Sequence, residues 1–305
     1  MTPSGAHLDL AERYDELRPF LIGVCYRILG SRSEAEDVVQ DGYVRLHETV
    51  AGAPERVPAD LRAWATRVVS RIAIDRLRSA RVRREAYVGQ WLPEPWIERQ
   101  VEGADADPQE RVTLAESVSY ALMVVLESLS PAERTSWVLH DSFGVPYDEV
   151  AAIVGRSPEA CRQLAARARK HIHERAPRFE VDWHQQHRVV ESFLRAAGGQ
   201  DLHELLQLLD PSVTLTSDGG GKVAASRHPV HGADQVAKLM VGIVRRAPHV
   251  TRADVAAVNG LPGVLVYAAE QLVMVMSFAV ADGRVTAIDL VVNPDKLADL
   301  AGPRA

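Results

Sequence analysis

The chain of 305 residues has only two cysteines and four lysines, and it has no long run of apolar residues. Cys25 and Cys161 stand alone in helical apolar patterns without CxxC spacing, so they give neither a metal site nor a disulfide framework. The longest apolar runs fall far short of the roughly 18 residues of a membrane span. No basic segment followed by an apolar run marks a secretory signal. These absences favour a soluble cytoplasmic protein without metal, cofactor or membrane partner.

The charge is unevenly distributed, although its sum is small. The net charge of −6 argues against a uniformly basic protein that coats nucleic acid, but it allows local basic faces. Arginine outnumbers lysine 31 to 4, and the first lysine is Lys170. Arginine is the better ligand for phosphate and guanine, so the placement of the arginines is informative. The length allows two or three domains.

Residues 1–88 are predicted to form a helical domain. Helical spacing of apolar residues from Leu17 to Ile28 predicts a first helix that ends at Gly30. Ser33 has capping-box spacing to Glu36 and predicts the start of a second helix, through about Glu48. One face of that helix is apolar, and its other face carries five acids: Glu34, Glu36, Asp37, Asp41 and Glu48.

A third helix, over about 60–80, is predicted to bury Leu61, Trp64, Ala65, Val68, Ile72 and Leu77. Residues 61–85 hold eight arginines against Asp75 and Glu85, a formal charge of +6. An acidic helix is thus followed by a strongly basic one. A single charged face would indicate only a solvated surface, but the reversal of sign between neighbours favours two different partners.

Residues 89–112 are predicted to be an acidic linker, because prolines and glycines recur and six acids face two arginines over 86–112. Residues 113–176 are predicted to be helical again. Ser130-Pro131 is a helix start that predicts a helix over Ala132–Ser142. Two further helices, 147–154 and 158 to about 174, are joined by Gly155, which is the helix-turn-helix pattern.

In the second helix of this pair, the predicted inward stripe is Ala160, Cys161, Leu164, Ala168 and Ile172. Polar and basic side chains fall on the outward side, and such a face suits the major groove of DNA. The outward residues are Glu159, Arg162, Gln163, Ala166, Arg167 and Lys170.

Residues 182–305 change to an α+β pattern. Two helices are followed by a strand at 213–216, a helix at 233–246 and strands at 264–268, 271–280 and 284–292. Asp282-Gly283 predicts a hairpin turn between the last two strands. The expected fold is a cone-like half-barrel, an antiparallel sheet curled around helices.

Two motifs carry a resemblance to a known family. E-A-E-D-V-V-Q-D (34–41) and R-A-W-A-T-R-V-V-S-R-I-A-I-D-R-L-R (62–78) resemble region 2 of extracytoplasmic-function sigma factors, and 126–173 resembles their region 4. The resemblance implies two all-α domains, with core RNA polymerase (its β′ clamp and β flap) and promoter DNA as partners. The acidic linker would then occupy a positively charged polymerase channel.

The resemblance also implies site residues. The polymerase-docking set is Glu36, Asp37, Gln40 and Asp41. The set for the −10 promoter element is Trp64, Arg71, Arg78, Arg81, Arg83 and Arg84; many relatives have asparagine in place of Arg71, and Trp64 is also a core candidate. The set for the −35 element is Glu159, Arg162, Gln163, Arg167 and Lys170.

Three further segments, W-L-P-E-P (91–95), D-G-G-G-K (218–222) and N-P-D-K-L (293–297), resemble signatures of a subgroup with a C-terminal SnoaL-like domain. We expect the first to pack near the second, with Trp91 in an apolar recess and Glu94 paired with Lys222. This regulatory set is Trp91, Pro93, Glu94, Asp218, Gly219, Gly220, Gly221, Lys222, Asn293, Asp295 and Lys296. Asp218 with its three glycines predicts a tight loop.

Two alternatives stay open. One is a transcription factor that binds operator DNA without polymerase, which would not need the acidic helix at 34–41. The other is a bifunctional protein whose SnoaL-like domain binds or converts a small ligand, since this fold also occurs in polyketide cyclases and ketosteroid-isomerase relatives. Such enzymes need a pocket Asp or His with a tuned pKa. The histidines available by type are His184, His187, His203, His228, His231 and His249.

Overall fold

The computed structural model describes residues 3–51, 56–85, 87–97, 118–176 and 182–301. They belong to two compact units, which are Met1–Arg83 with Leu126–Glu174, and Arg84–Val125 with Arg175–Ala305. The first unit therefore contains most of both predicted helical domains. The second contains the predicted α+β domain and also the described part of the predicted linker.

Three helices form the first part of unit 1: α1 (Pro3–Leu29), α2 (Arg32–Val50) and α3 (Leu61–Glu85). Gly30, with φ of 75°, ends α1 as predicted. The predicted N-cap Ser33 is wrong, because Ser31 caps α2 and accepts from the backbone N–H of Glu34. Two S-x-x-E spacings overlap here. The first prevails because Ser31 follows the left-handed glycine directly and is still extended, whereas Ser33 already lies inside the helix.

The buried stripe of α3 is rotated slightly from the prediction. Leu61, Ala65 and Leu77 are buried, whereas Trp64, Val68 and Ile72 are only half-buried. The small residues on the inner side, Val69, Ser70 and Ala73, are almost fully buried instead. Close helix packing favours such small side chains, because they let the backbones approach.

The second part of unit 1 continues from α4 (Tyr120–Glu127) with α5 (Pro131–Trp137), α6 (Tyr147–Val154) and α7 (Pro158–Arg175). Ser130 and Glu133 form a capping box at the start of α5, as Ser130-Pro131 predicted. The predicted helix through Ser142 is regular only to Trp137 and continues as a π-helical turn over Val138–Ser142. Gly155, with φ of 75°, ends α6 and makes the turn into α7.

Unit 2 is an α+β domain, as predicted. Its helices are α8 (Trp183–Gly198), α9 (Leu202–Leu208), α10 (Ala233–Arg246) and α11 (Pro294–Leu297). Its strands are β1 (Leu209–Asp218), β2 (Val230–His231), β3 (Val250–Val258), β4 (Leu261–Ala268), β5 (Gln271–Ala281) and β6 (Arg284–Val291).

The strands form one sheet in the order β2-β1-β6-β5-β4-β3, antiparallel except for the parallel pair β1 and β6. Asp282 and Gly283, with φ of 52° and 70°, make the predicted hairpin turn between β5 and β6. The parallel pair places two of the signature segments side by side. It brings the end of β1, with Asp218, beside Val291 at the end of β6.

Each face of the sheet has its own apolar cluster. On one face, α8, α9 and α10 pack on the sheet, and the rings of Phe193 and Phe278 meet at 5.1 Å in the middle of the buried side chains. On the other face, Leu92 of the linker and Tyr120 at the start of α4 join Leu297 of α11 against β3, β4, β5 and β6. The linker at Leu92 is thus part of the packed structure of unit 2.

Within the described ranges, no helix has the length and apolar character that a membrane span needs. The same ranges contain no cluster of three or more side chains able to hold a metal ion.

Candidate functional sites

The carboxylate of Asp218 is the centre of the site that joins the three signature segments. It is fully buried. One oxygen accepts from the Tyr87 hydroxyl at 2.5 Å and from the Gly220 N–H at 3.0 Å. The other accepts from the Leu92 N–H at 3.0 Å and from the Lys296 ammonium at 2.7 Å. The two oxygens together accept four hydrogen bonds. A buried carboxylate needs such partners, because it has lost its hydrogen bonds to water. We call these groups, with Trp91 and Asn293, the linker site.

Lys296 connects Asp218 with the linker backbone. Its side chain is only 4% exposed, and its ammonium also donates to the carbonyl of Leu92. The same nitrogen lies 3.3 Å from the centre of the Trp91 ring, a cation–π contact. Both the N–H and the C=O of Leu92 are therefore bound by one buried ion pair. The contact fixes the linker backbone and not merely one of its side chains.

Asn293 and Tyr87 complete the linker site. Asn293 caps α11 by accepting from the Asp295 N–H at 3.1 Å, while its amide donates to the Tyr87 hydroxyl at 2.9 Å. Burial, together with the hydrogen bond to Asp218, raises the pKa of Tyr87. The hydroxyl therefore stays protonated and remains a donor to the carboxylate.

The glycines of 219–221 permit this close packing, as predicted for a tight loop. A Cβ atom on Gly219 would lie 2.3 Å from the Val223 carbonyl oxygen, and one on Gly220 would lie 2.6 Å from the Asn293 amide. Gly220 and Gly221 also have φ of 66° and 71°, which disfavours any residue with a Cβ.

The predicted ion pair between Glu94 and Lys222 is wrong, because Lys222 has a different partner. Lys222 binds Asp295, at 2.6 and 2.7 Å to the two carboxylate oxygens. The reason is topological, because the parallel pairing of β1 with β6 brings the start of α11 directly beside the glycine loop. More than half of each of these two side chains is exposed, so the pair is worth only about 0–1 kcal/mol.

The predicted apolar recess for Trp91 is also wrong. The indole ring lies between two cations, with the Arg84 guanidinium at 4.2 Å and the Lys296 ammonium at 3.3 Å, and the Tyr87 ring meets it at a steep angle. The electron-rich faces of indole favour such cationic neighbours. Leu92, the next residue, is the one that enters the apolar cluster.

The linker is fixed beyond the linker site as well. Pro93 is buried, and its carbonyl accepts from the Tyr120 hydroxyl at 2.7 Å. Asn259 makes two hydrogen bonds with the backbone of Trp96, at 2.7 and 2.9 Å, and Ile97 forms an antiparallel bridge with Val258. The sequence analysis named Pro93 but missed Tyr120 and Asn259. The available signal was the turn dipeptide Asn259-Gly260.

The proposed docking residues lie on the outer face of α2. Asp37, Gln40 and Asp41 are exposed, whereas Glu36 is half-buried and paired with Arg32 at 2.9 Å. Arginines of the flanking helices already contact this face. The Arg76 guanidinium lies 2.5 Å from Asp41 and 3.8 Å from Asp37, and Arg18 donates to Gln40 at 3.4 Å.

The predicted −10 residues follow α3. Arg71, Arg78 and Arg81 are exposed but not free, because each donates to a backbone carbonyl of the second part of unit 1. Trp64 is half-buried and Arg84 stacks on Trp91. The Arg83 side chain lies outside the described residues.

The predicted −35 residues, Glu159, Arg162, Gln163, Arg167 and Lys170, are all exposed on α7, while Cys161, Ala165 and Ala168 are buried beneath them. Two arginines of this face already have acidic partners: Glu159 for Arg162 at 3.3 Å, and Glu133 for Arg167 at 3.0 Å. The arrangement is a helix with one polar face turned to solvent, after a glycine turn, as a major-groove reader requires.

One of the candidate enzymatic groups, His187, lines a cleft of about 680 Å³ between α8 and β3, together with Glu191 and Arg195. Of the six histidines, His187 is half-buried and stacked on Trp183, and the other five are exposed. One carboxyl, Asp289, is desolvated, and burial raises its pKa to about 7. Strand alternation puts it on the face of Val291, opposite to Ile288 and Leu290, which pack against the helices.

Comparison with known proteins finds two matching family models in the first part of the chain. Residues 13–83 match the family model for Sigma-70 region 2, and residues 119–172 match the one for Sigma-70, region 4. The ECF RNA polymerase sigma factor SigJ of Mycobacterium tuberculosis is 42% identical over 93% of this chain and 91% of its own length. The probable ECF sigma factor SigI of that organism is 35% identical over 93% of each chain.

The crystal structure of M. tuberculosis SigJ covers 96% of this chain and 99% of its own, with a TM-score of 0.73 and 34% identity. The similarity extends over both helical regions and the C-terminal α+β domain, and it confirms the fold class predicted from the sequence. From the two region matches in order, and a relative 42% identical over nearly the whole length, it follows that the chain belongs to the ECF RNA polymerase sigma factors.

Proposed function

We propose that this sigma factor is regulated in cis by its C-terminal domain, which holds the linker between region 2 and region 4 through the linker site. The observation that carries the proposal is the buried pair of Asp218 and Lys296, which binds both the N–H and the C=O of Leu92. Burying both charges of this ion pair costs desolvation free energy. The presence of the pair is explained if it specifies one conformation of the linker.

The activity that is regulated is the sigma factor activity of the family. The chain binds core RNA polymerase and promoter DNA and directs transcription initiation, and it is not an enzyme. It acts where RNA polymerase acts, in the cytoplasm. Of the two alternatives, the polymerase-independent transcription factor is excluded by membership of this family. For the bifunctional alternative, the centre of the space between helices and sheet is filled by apolar side chains, and the cleft between α8 and β3 offers His187 as its candidate group.

Individual roles follow from exposure and charge. Asp37, Gln40 and Asp41 dock on the β′ clamp, where basic groups complement an acidic helix face. The arginines of α3 contact the −10 element, and α7 enters the major groove of the −35 element with region 4 on the β flap. The phosphate contacts supply affinity and the base contacts supply sequence preference.

The linker site acts on both DNA-binding regions together with the contact between Pro93 and Tyr120, because the two fix the linker on the side of α3 and on the side of α4. The segment after α3 is bound at Tyr87 and Leu92, and the segment that leads into α4 is bound through Tyr120 to Pro93. The span between the end of region 2 and the start of region 4 is then set inside one packed domain. A promoter needs both elements contacted together, so the state of the linker decides transcription.

Two truncations test this regulation. Ending the chain after residue 292 removes Asn293 and Lys296 but keeps the sheet, and ending it after residue 178 removes the whole domain. We expect the two truncations to transcribe at different rates, both unlike the full chain, in assays with core polymerase. Crosslinks from 91–95 should reach the C-terminal domain in the full chain, and their yield should fall when the chain ends after residue 292. Equal transcription by all three proteins, with no such crosslink, would end the proposal.

The −35 face has its own test. Alanine at a base-reading arginine, Arg162 or Arg167, should cost about 1–3 kcal/mol and relax sequence preference at one position. Alanine at Lys170, a phosphate contact on this proposal, should weaken binding to all sequences alike. Promoter-selection profiles for each variant separate the two outcomes. If no variant alters affinity or preference, α7 is not the reader of the −35 element.

A further inference from the structure

The arginine face of α3 is occupied inside unit 1 by main-chain carbonyl oxygens. Arg71 donates to Ala152 at 2.8 Å, Arg78 to Val154 at 3.5 Å and Arg81 to Leu129 at 3.2 Å. No promoter role explains these contacts, because all the acceptors belong to region 4 of the same chain.

Two of the three acceptors are carbonyls at the C-terminal end of a helix, and the third belongs to the turn that follows a helix. Ala152 and Val154 are in the last turn of α6, and Leu129 lies two residues after the end of α4. The last carbonyls of a helix have no partner within it, and they carry the negative end of the helix dipole. Guanidinium groups bind phosphate oxygens in DNA by the same hydrogen bonds and the same charge attraction. The helix ends therefore present the arginines with a substitute for the promoter backbone.

A buried joint holds these helix ends in place. Arg134 of α5 is 1% exposed; it binds Glu127 at 2.6 Å and donates to the Arg27 carbonyl of α1 at 2.8 Å. The Arg27 guanidinium lies 4.5 Å from the centre of the Phe143 ring, and burial lowers its pKa to about 10. The Phe143 ring meets that of Phe20 on α1 at 5.3 Å. We call this contact between region 2 and region 4 the arginine joint.

We propose that unit 1 is a closed state in which the helix ends of region 4 take the place of promoter phosphates on the arginines of α3. This inference rests on the proposed −10 role of those arginines. Closure and promoter binding compete, because region 4 lies against the same guanidinium groups that would contact the promoter backbone. The measured affinity for DNA then equals the affinity of the open state multiplied by the fraction of molecules that are open. Opening requires that the arginine joint separates.

The test uses variants that weaken the arginine joint and leave the arginines of α3 unchanged. The double variant Glu127→Gln/Arg134→Met removes both buried charges together, which avoids an unpaired charge. Phe143→Leu is the milder second variant, since it loses only the ring contacts of a half-buried residue. Spin labels on cysteines introduced at Val44 and Ala166, both exposed, report the distance between region 2 and region 4 in the full chain. The native cysteines are buried.

We expect the wild type to give one short distance between the labels and both variants to give a longer one. We also expect both variants to bind a single-stranded −10 oligonucleotide roughly tenfold more tightly, which is within the usual range for coupled equilibria. Longer distances with unchanged affinity would overturn the phosphate substitution. Unchanged distances in both folded variants would overturn the joint. Adding Arg71→Ala/Arg78→Ala to the opened variant tests the −10 role separately: retained affinity there removes that role and leaves the closed state measured by the labels.

Discussion

Charge reversal of Asp37 and Asp41 to lysine should abolish co-purification of the full chain with core RNA polymerase. The two side chains are 75% and 50% exposed, so neither contributes to the core of unit 1. Lysine at both positions changes the local charge by four units and faces the basic partner surface with like charge. Such juxtaposition costs several kcal/mol in protein complexes. Affinity-tagged sigma factor, mixed with core polymerase at physiological salt, gives the measurement.

The matched control is Glu48→Lys, an exposed acid near the end of the same helix. It should leave polymerase binding within about threefold of wild type, because a rim charge beyond the docking residues acts mainly through long-range attraction. Thermal melting of each variant shows whether the fold survives, since Asp41 also pairs with Arg76. Retained co-purification by a folded double variant would remove α2 from the docking surface.

Local patterns in the sequence predict most of the helices and the exposed faces. The five residues assigned to the −35 face are all exposed, because a 3.6-residue period fixes which side of a helix is polar once its apolar side is known. The Asp282-Gly283 turn is equally local, since it needs two residues with positive φ. Strand β3 is absent from the predicted strands because Arg252 and Asp254 interrupt its apolar pattern, and these two residues pair with each other on the exposed strand.

The partners within the linker site could not be predicted in the same way. The three motifs contain Glu94, Asp218, Lys222, Asp295 and Lys296, and charge alone does not say which acid meets which base. The choice depends on the parallel pairing of β1 with β6, a contact between segments about 70 residues apart. That pairing buries Asp218 with Lys296 and leaves Lys222 with Asp295 at the surface.

The same topology explains why Tyr87 has no signal in the sequence. It lies outside the motif W-L-P-E-P, and it has no periodic neighbour to mark it as buried. Its role comes from two partners more than 130 residues away, Asp218 and Asn293. Any variant that breaks the linker site should therefore be compared with a Tyr87→Phe variant, which keeps the ring against Trp91 and removes only the hydroxyl.

Replacing Lys296 by methionine should destabilise unit 2 far more than replacing Lys222 does. Lys296 and Asp218 are 4% and 0% exposed, so removal of the ammonium leaves a carboxylate that is buried and uncompensated. Breaking a buried pair in this way costs about 3–5 kcal/mol. Lys222→Met removes a lysine of the adjacent motif whose pair is exposed, and its expected cost is about 0–1 kcal/mol. Denaturant unfolding of the full-length proteins measures both.

The double variant Asp218→Asn/Lys296→Met separates charge from shape. It removes both charges but keeps an amide able to accept from Leu92, so it should lose less stability than Lys296→Met alone. The coupling energy from the complete cycle then measures the ion pair, and transcription by the same proteins measures its regulatory effect. Because Lys296 no longer binds the linker in this variant, residues 91–95 should crosslink less to the C-terminal domain. Equal stability of Lys296→Met and Lys222→Met would show that the pair does not hold the linker, and the regulatory role of the linker site would fall with it.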